Sequence, residues 1–229
     1  MEIPTLDKLE TKLFNAIRDG KIKKIQALMQ KGVNLNCKNG YGETPLYHAV
    51  AVLALGVYQK ETIVELLLQK GAKVEEKNSD GQTPLEVAVL HEQPLVAKIL
   101  LKHGANVNVK RKLCHSLLHT AISFGNVSLV EILLEYGAEV DSPTKNGLTP
   151  LIRMICLAFY LGTPIHEEEI FTRHNSIKIT EMLVRYDASI NVRNEEGNSL
   201  LECTLIKENG KKLDSMKIIS HHHHNSNFY

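Results

Sequence analysis

Short apolar stretches with helical spacing alternate with polar, glycine-containing breaks along most of this chain. The segment 80–108 shows the pattern most clearly. Leu85, Ala88 and Val89 share one face of a short helix, and a second apolar set at helical spacing follows Pro94. The pattern predicts two short helices joined by a turn and followed by an extended link.

Local signals mark the ends of these helices. Thr83 is a predicted N-cap, Pro84 suits the first helical position, and Glu86 completes a capping box with Thr83. Asp80-Gly81 predicts a tight turn before the first helix, and Gly104 predicts the end of the second. One unit is therefore turn, helix, helix and link.

Two short words repeat this unit along the chain. A Thr-Pro-Leu-like word begins at Thr44, Thr83, Ser116, Thr149 and Ser199. A Gly-Ala-like word begins at Gly32, Gly71, Gly104, Gly137 and Asp187. Both words are separated by 39, 33, 33 and 50 residues, and a degenerate copy begins at Thr11. The spacing predicts six copies of a 33-residue unit, with insertions of 6 residues in the second copy and 17 in the fifth. A single unit cannot bury its apolar face, so the copies must stack.

Asp-Gly-x-Thr-Pro-Leu followed by Leu-Leu-x-x-Gly-Ala-x-Val-Asn at this period resembles ankyrin repeats over roughly residues 7–220. The resemblance implies an all-α, helix-turn-helix repeat solenoid with short β-hairpin loops, forming a single domain over residues 1–220. Its repeats would start near Asp7, Gly40, Ser79, Lys112, Lys145 and Glu195. The His-rich tail, residues 221–229, is expected to be a solvated, disordered end or a cloning remnant.

The resemblance also implies that another protein binds the concave face and the hairpin tips. In ankyrin repeats the variable exposed positions lie four, three and one residue before the Thr and seven and eight after it. The partner-binding residues predicted on this basis are Tyr41, Asp80, Leu90, His91, Leu113, His115, Phe124, Leu148 and Leu157. Tyr41 and Phe124 are the predicted anchors, since exposed apolar side chains typically mark an interface. Intramolecular cover of some apolar positions, Leu157 above all, is the alternative.

Composition narrows the function classes. The net charge of +1 gives no field that would attract nucleic acid, and no secretory signal or membrane span is visible. Four scattered cysteines form no disulfide framework. We therefore expect a soluble, cytoplasmic monomer that needs no cofactor and holds no metal.

An enzyme is the competing hypothesis. Cys114 beside His115 and His119 could form a thiol–imidazole pair, and the insertion 158–174 could hold a site. His119, however, occupies the family's usual histidine position, where that side chain supports the hairpin. His166 and His174 lack the spacing of a zinc motif.

The sequence thus predicts a scaffold, adaptor or inhibitor that binds a partner of unknown identity. A narrower hypothesis is an effector of an intracellular bacterium or virus, acting in the host cytoplasm. Lys outnumbers Arg by 21 to 6, as in proteins of AT-rich genomes.

Overall fold

The computed structural model describes residues 6–52, 57–109, 115–145, 147–160 and 168–190 of the 229-residue chain. These ranges hold ten α-helices and no β-strand. The helices are α1 Lys8–Arg18, α2 Ile22–Gln30, α3 Pro45–Ala51, α4 Val57–Gln69, α5 Pro84–Leu90, α6 Pro94–Lys102, α7 Leu117–Ser123, α8 Val127–Glu135, α9 Pro150–Tyr160 and α10 Glu168–Arg185. Odd-numbered helices are the first helix of a repeat and even-numbered helices the second.

Two compact units divide the chain, residues 1–107 and 108–229. In unit 1, first helix α3 packs against α1 and α5, and second helix α4 packs against α6. In unit 2, first helix α7 packs against α9, and second helix α8 packs against α10. Within each unit, repeats therefore stack helix against equivalent helix, which confirms the predicted all-α repeat architecture.

Four of the Thr-Pro-Leu-like words begin their helices with the expected N-cap. The first residue of each word accepts a hydrogen bond on its hydroxyl from the backbone N–H three residues on: Thr44 at 3.2 Å, Thr83 at 3.3 Å, and Ser116 and Thr149 at 3.4 Å. Glu86 completes the box, since its Oε2 accepts the N–H of Thr83 at 2.7 Å. These bonds satisfy donors that a helix start leaves without partners.

The first repeat starts its helix earlier than the Thr alignment suggests. Helix α1 begins at Lys8, four residues before the position equivalent to the start of α3, and Thr11 lies inside it. Asp7 is the actual N-cap, and it forms a capping box with Glu10. In the first repeat Lys12 stands where Pro45 and Pro84 begin the first helices of later repeats. The capping box at Asp7 therefore sets the start of α1.

A left-handed residue follows the last turn of the second helices. Gly104 has φ +86°, and Asp187, which replaces the glycine in the fifth repeat, has φ +61°. Aspartate adopts this conformation more readily than most residues with a Cβ, so the departure from the repeat pattern keeps the same chain path.

Both insertions lengthen helices. The second helices α6 and α8 have 9 residues, whereas α4 has 13 and α10 has 18. First helix α9 has 11 residues where α5 and α7 have 7. The added turns extend the C-terminus of a first helix or the N-terminus of a second helix. Residues 53–56 and 161–167 lie outside the described residues.

The first insertion removes a backbone hydrogen bond that other repeats make. In the third repeat the carbonyl of Val89 accepts the N–H of Glu92 at 3.1 Å. The first and fourth repeats make the equivalent hydrogen bond. The equivalent carbonyl of Val50 instead accepts bonds from Lys60 Nζ at 3.2 Å and Gln93 Nε2 at 3.3 Å. Lys60 is only 7% exposed. Two side chains thus replace the missing turn at the end of α3.

A ladder of hydrogen bonds joins consecutive repeats within each unit. One side chain at the same position of four repeats accepts a backbone N–H from the repeat that follows. The pairs are Asn36 with Lys73 at 2.8 Å, and Glu75 with Asn106, Asn108 with Glu139 and Asp141 with Ser189, each at 2.9 Å. The Asp141 pair spans the 17-residue insertion, so the insertion leaves the register of stacking unchanged.

Adjacent turns of unit 1 also touch directly. The carbonyl of Tyr41 accepts bonds from the N–H and Oγ of Ser79, at 3.3 and 2.8 Å. Gly42 has φ +70°, and a Cβ there would lie 2.7 Å from the backbone nitrogen of Ser79. Gly81, the equivalent residue one repeat later, has φ +76° and no atom within 4 Å of such a Cβ.

The pair Gly42→Ala and Gly81→Ala separates backbone strain from this close approach. Gly81→Ala should lower the free energy of unfolding by about 1–2 kcal/mol, the cost of a left-handed residue with a Cβ. Gly42→Ala should lose roughly 1–3 kcal/mol more, because the turns must move apart. Urea denaturation of both variants measures the difference, and equal losses would contradict the contact.

The variant Lys60→Met tests the replacement cap on Val50. We expect it to lower the free energy of unfolding by roughly 1 kcal/mol, because the buried carbonyl loses one of its two donors. Lys23→Met, at an exposed position of α2, is the control and should be nearly neutral. Urea denaturation provides the comparison. If Lys60→Met stabilises the protein, the cost of burying the ammonium exceeds the worth of its hydrogen bond.

Candidate protein-binding surface

The structure exposes most of the predicted partner-binding residues. Tyr41, Leu90 and Phe124 are 75%, 42% and 45% exposed. The polar residues Asp80, His91 and His115 are also exposed. Leu148 and Leu157 are half-buried, so intramolecular cover applies to part of each, and Leu113 lies outside the described residues.

In unit 1, the turns before the first helices present Tyr41 and Asp80. Asn39 Oδ1 accepts the N–H groups of Tyr41 and Glu43, at 2.9 and 3.0 Å. One repeat later Asn78 Oδ1 accepts the equivalent pair of bonds, from the N–H of Asp80 at 3.0 Å and from that of Gln82 at 2.8 Å. Each asparagine closes its turn and leaves the residue two positions on facing solvent. Leu90 and His91 lie elsewhere, at the C-terminus of α5.

In unit 2, Phe124 is the C-cap of α7 and follows Ser123. Arg153 of α9 donates to Ser123 Oγ from Nε at 3.3 Å and from Nη2 at 3.1 Å. Asn175 of α10 donates its Nδ2 to the carbonyl of Gly125 at 3.1 Å. Neighbouring helices thus fix the turn that carries Phe124 from two sides.

One position after each Thr-Pro-Leu-like word links a repeat to the next turn. In the second repeat the Tyr47 hydroxyl accepts a bond from Asn78 Nδ2 at 2.9 Å and donates to Gln82 Oε1 at 3.2 Å. In the fourth repeat His119 occupies this position, and its Nε2 lies 3.0 Å from the carbonyl of Leu148. The structural role predicted for His119 is confirmed.

The environment of His119 favours its neutral form. The ring is fully buried, Nε2 donates to Leu148 O, and Nδ1 lies 2.8 Å from Ser116 Oγ, which can donate to it. Desolvation lowers the pKa of His119, and the positive charges of His115 and Arg153 lower it further, against the raising effect of the Leu148 bond.

Two sequence models of ankyrin repeats match the chain, a three-copy model over residues 13–111 and a many-copy model over residues 100–153. Together they cover more than half of the chain. The chain belongs to the ankyrin repeat family. No curated protein matches it. Ankyrin repeats generally mediate protein–protein interactions, and the family is typically non-enzymatic.

The ankyrin pattern concerns first helices and turns, so it missed features on the second helices. Leu95 and Tyr186 are large exposed apolar side chains at the start of α6 and just after α10. Leu95 directly follows the helix-starting Pro94, and an apolar residue there gives no sequence signal that separates core from surface. Arg153 was also missed, because its partner Ser123 lies 30 residues away.

The second helices of ankyrin unit 1 border a groove of about 450 Å³. Apolar Ile22 and Ile99 line it together with the carboxylates of Glu61 and Glu65. Glu65 accepts a bond from His103 Nε2 at 3.2 Å, which lowers the pKa of this carboxyl. This carboxylate therefore already serves a hydrogen bond between α4 and the end of α6.

The chemistry of the described residues gives the enzyme hypothesis no specific support. Cys114, its proposed nucleophile, lies outside them. Cys37 is a buried free thiol, and burial, followed by the charge of Glu10, raises its pKa to about 12. A thiol with so high a pKa is a poor nucleophile. No group of three metal-ligating side chains occurs in the described part of the chain.

None of the described helices of this ankyrin protein combines the length and the apolar character needed to cross a bilayer.

The lowered pKa of His119 predicts a pH-dependent stability. Near pH 6.5, the ordinary histidine value, the unfolded chain takes up a proton before the folded chain does. The contribution of neutral His119 to the free energy of unfolding should therefore be fully present above pH 6.5. It should be lost as the pH falls from 6.5 to the lowered pKa. Urea denaturation at pH 7.5 and pH 5.5 (roughly one unit either side of the ordinary value) measures this loss.

The variant His119→Gln can still donate to Leu148 O but does not titrate, so its loss between these pH values should be smaller than that of the wild type. His115→Gln, at the neighbouring exposed histidine, is the control and should keep most of the loss. An unchanged pH dependence in His119→Gln would show that other groups cause it.

Proposed function

We propose that this chain is a protein-binding module, acting as a scaffold, adaptor or inhibitor, whose contacts come from the turns and first helices of both units. The exposure of Tyr41 and Phe124 is the observation that supports this most directly. Aromatic side chains that are exposed on the turns offer apolar surface that a partner can bury.

The positions of these two side chains suit an interface. Asn39 closes the turn that carries Tyr41, and Asn175 and the α7 cap hold the turn that carries Phe124. Rigid aromatic residues lose little conformational entropy on binding, which is why they are frequent at the centre of interfaces. Asp80, His91 and His115 would supply polar contacts around them.

We further propose that the protein acts as a monomer in a cytoplasm, and that the partner is a host protein if the chain is an effector. The ankyrin repeats support protein binding in general and leave the partner to be identified. Leu113, Leu148 and Leu157 are proposed as additional contacts.

The variants Tyr41→Ala, Phe124→Ala and the double variant test the proposal. Once a partner has been captured, the double variant should bind it at least about tenfold more weakly, a loss of about 1.4 kcal/mol. The thermal melting curve should stay unchanged, because both side chains are exposed. Isothermal titration calorimetry measures the affinity.

Leu95→Ala and Tyr186→Ala are matched controls, since both remove an exposed apolar side chain associated with a second helix. They should leave the affinity unchanged. The proposal is wrong if the double variant binds normally or if the control variants weaken binding as much.

A further inference from the structure

Charge is unevenly distributed on the first helices and turns of unit 2. Among the described residues, the first helices and the positions that directly flank them (115–125, 145 and 147–160) include no Asp or Glu, whereas Glu139 and Asp141 lie in the link that precedes them. Lys145 and His115 are exposed, and Arg153 is half-buried. The carboxylates of Glu131 and Glu135 belong to second helix α8. A partner that approaches the first helices of unit 2 therefore meets positive charge.

Arg153 is held in a defined orientation. Ser123 Oγ donates to the carbonyl of His119 at 2.8 Å, so its lone pairs are available to the arginine. The Nε and Nη2 bonds to this oxygen fix the plane of the guanidinium group. They use two of its five N–H donors. A planar guanidinium with remaining donors suits a carboxylate, which can accept two parallel bonds.

The aromatic side chain of Phe124 follows Ser123 directly in the chain. The residue that orients Arg153 and the exposed aromatic residue are therefore neighbours, and α10 holds the same turn through Asn175. Arginine and aromatic residues are the side chains most enriched at the energetic centre of interfaces. Together they present one charged and one apolar contact.

We propose that the Phe124–Arg153 surface of unit 2 binds an acidic segment of a partner protein, which places a carboxylate on Arg153 and an apolar side chain against Phe124. The inference rests on the proposed function and adds the chemistry of the partner segment that contacts this surface. Lys145 adds positive charge at the turn before α9. Screening by salt should weaken this binding, because the charges lie at the surface.

Selection from a random displayed peptide library tests this chemistry before any natural partner has been identified. The selected peptides should be enriched in Asp or Glu next to an aliphatic or aromatic residue. A synthetic copy of the best peptide, labelled with a fluorophore, should bind in an anisotropy titration. Replacing its acidic residues with the corresponding amides should weaken binding at least about tenfold.

Variants of the protein locate the site. Arg153→Gln and Phe124→Ala should each weaken peptide binding at least about tenfold, whereas Arg185→Gln, at an exposed arginine at the end of α10, should have no effect. If Arg153→Gln lowers the melting temperature, Arg153→Lys keeps the charge without the planar fork and should still bind more weakly than wild type.

Neutral or basic selected peptides, no selected peptide at all, or acidic peptides that bind Arg153→Gln normally would each overturn the inference. A single-stranded oligonucleotide that binds through Arg153 in place of any peptide would overturn it as well. If a captured partner still requires Tyr41 and Phe124 in these cases, the proposed function stands and only the acidic chemistry is wrong. A partner indifferent to both residues removes the proposed function itself.

Discussion

Consecutive repeats must share a core, because neither helix of a repeat can bury its apolar face alone. The register of this sharing depends on a polar contact: a side-chain oxygen of one repeat accepts a backbone N–H of the next. Asn36, Glu75, Asn108 and Asp141 perform this role in turn. An amide and a carboxylate are interchangeable here, because only an acceptor oxygen is required.

The same constraint explains how the chain tolerates its insertions. Added residues extend helices at the side of the repeat where first and second helix meet, away from the ladder. Their cost is local, because the short turn that normally satisfies the carbonyl at the end of the first helix is lost. In the second repeat Lys60 and Gln93 donate to the carbonyl of Val50 instead. A buried ammonium is expensive, and its bond to a helix C-terminus, where the dipole is negative, offsets part of that cost.

Rigid stacking also determines how the molecule presents its surface. The asparagines that close the turns and the cross-repeat contacts of Tyr47 and His119 leave little freedom at the tips. Exposed residues such as Tyr41 and Phe124 therefore lie on ordered turns, so in the proposed interface they would lose little entropy on binding. The described surface of unit 2 adds an oriented arginine beside an aromatic residue. The surface of unit 1 instead mixes acidic and basic groups, with Glu43 and Asp80 near its turns.

The sequence by itself determined the repeat period, the fold class, and the caps at Thr83 and Gly104, because these signals act within a few residues of one another. It also indicated the exposure of Tyr41, Leu90 and Phe124 through the family pattern. Only the tertiary structure decided the role of Lys60 on Val50 and the orientation of Arg153 by Ser123. Lys60 and Arg153 contact partners 10 and 30 residues away, and no local pattern specifies which distant oxygen a long, flexible side chain will reach once the helices have packed.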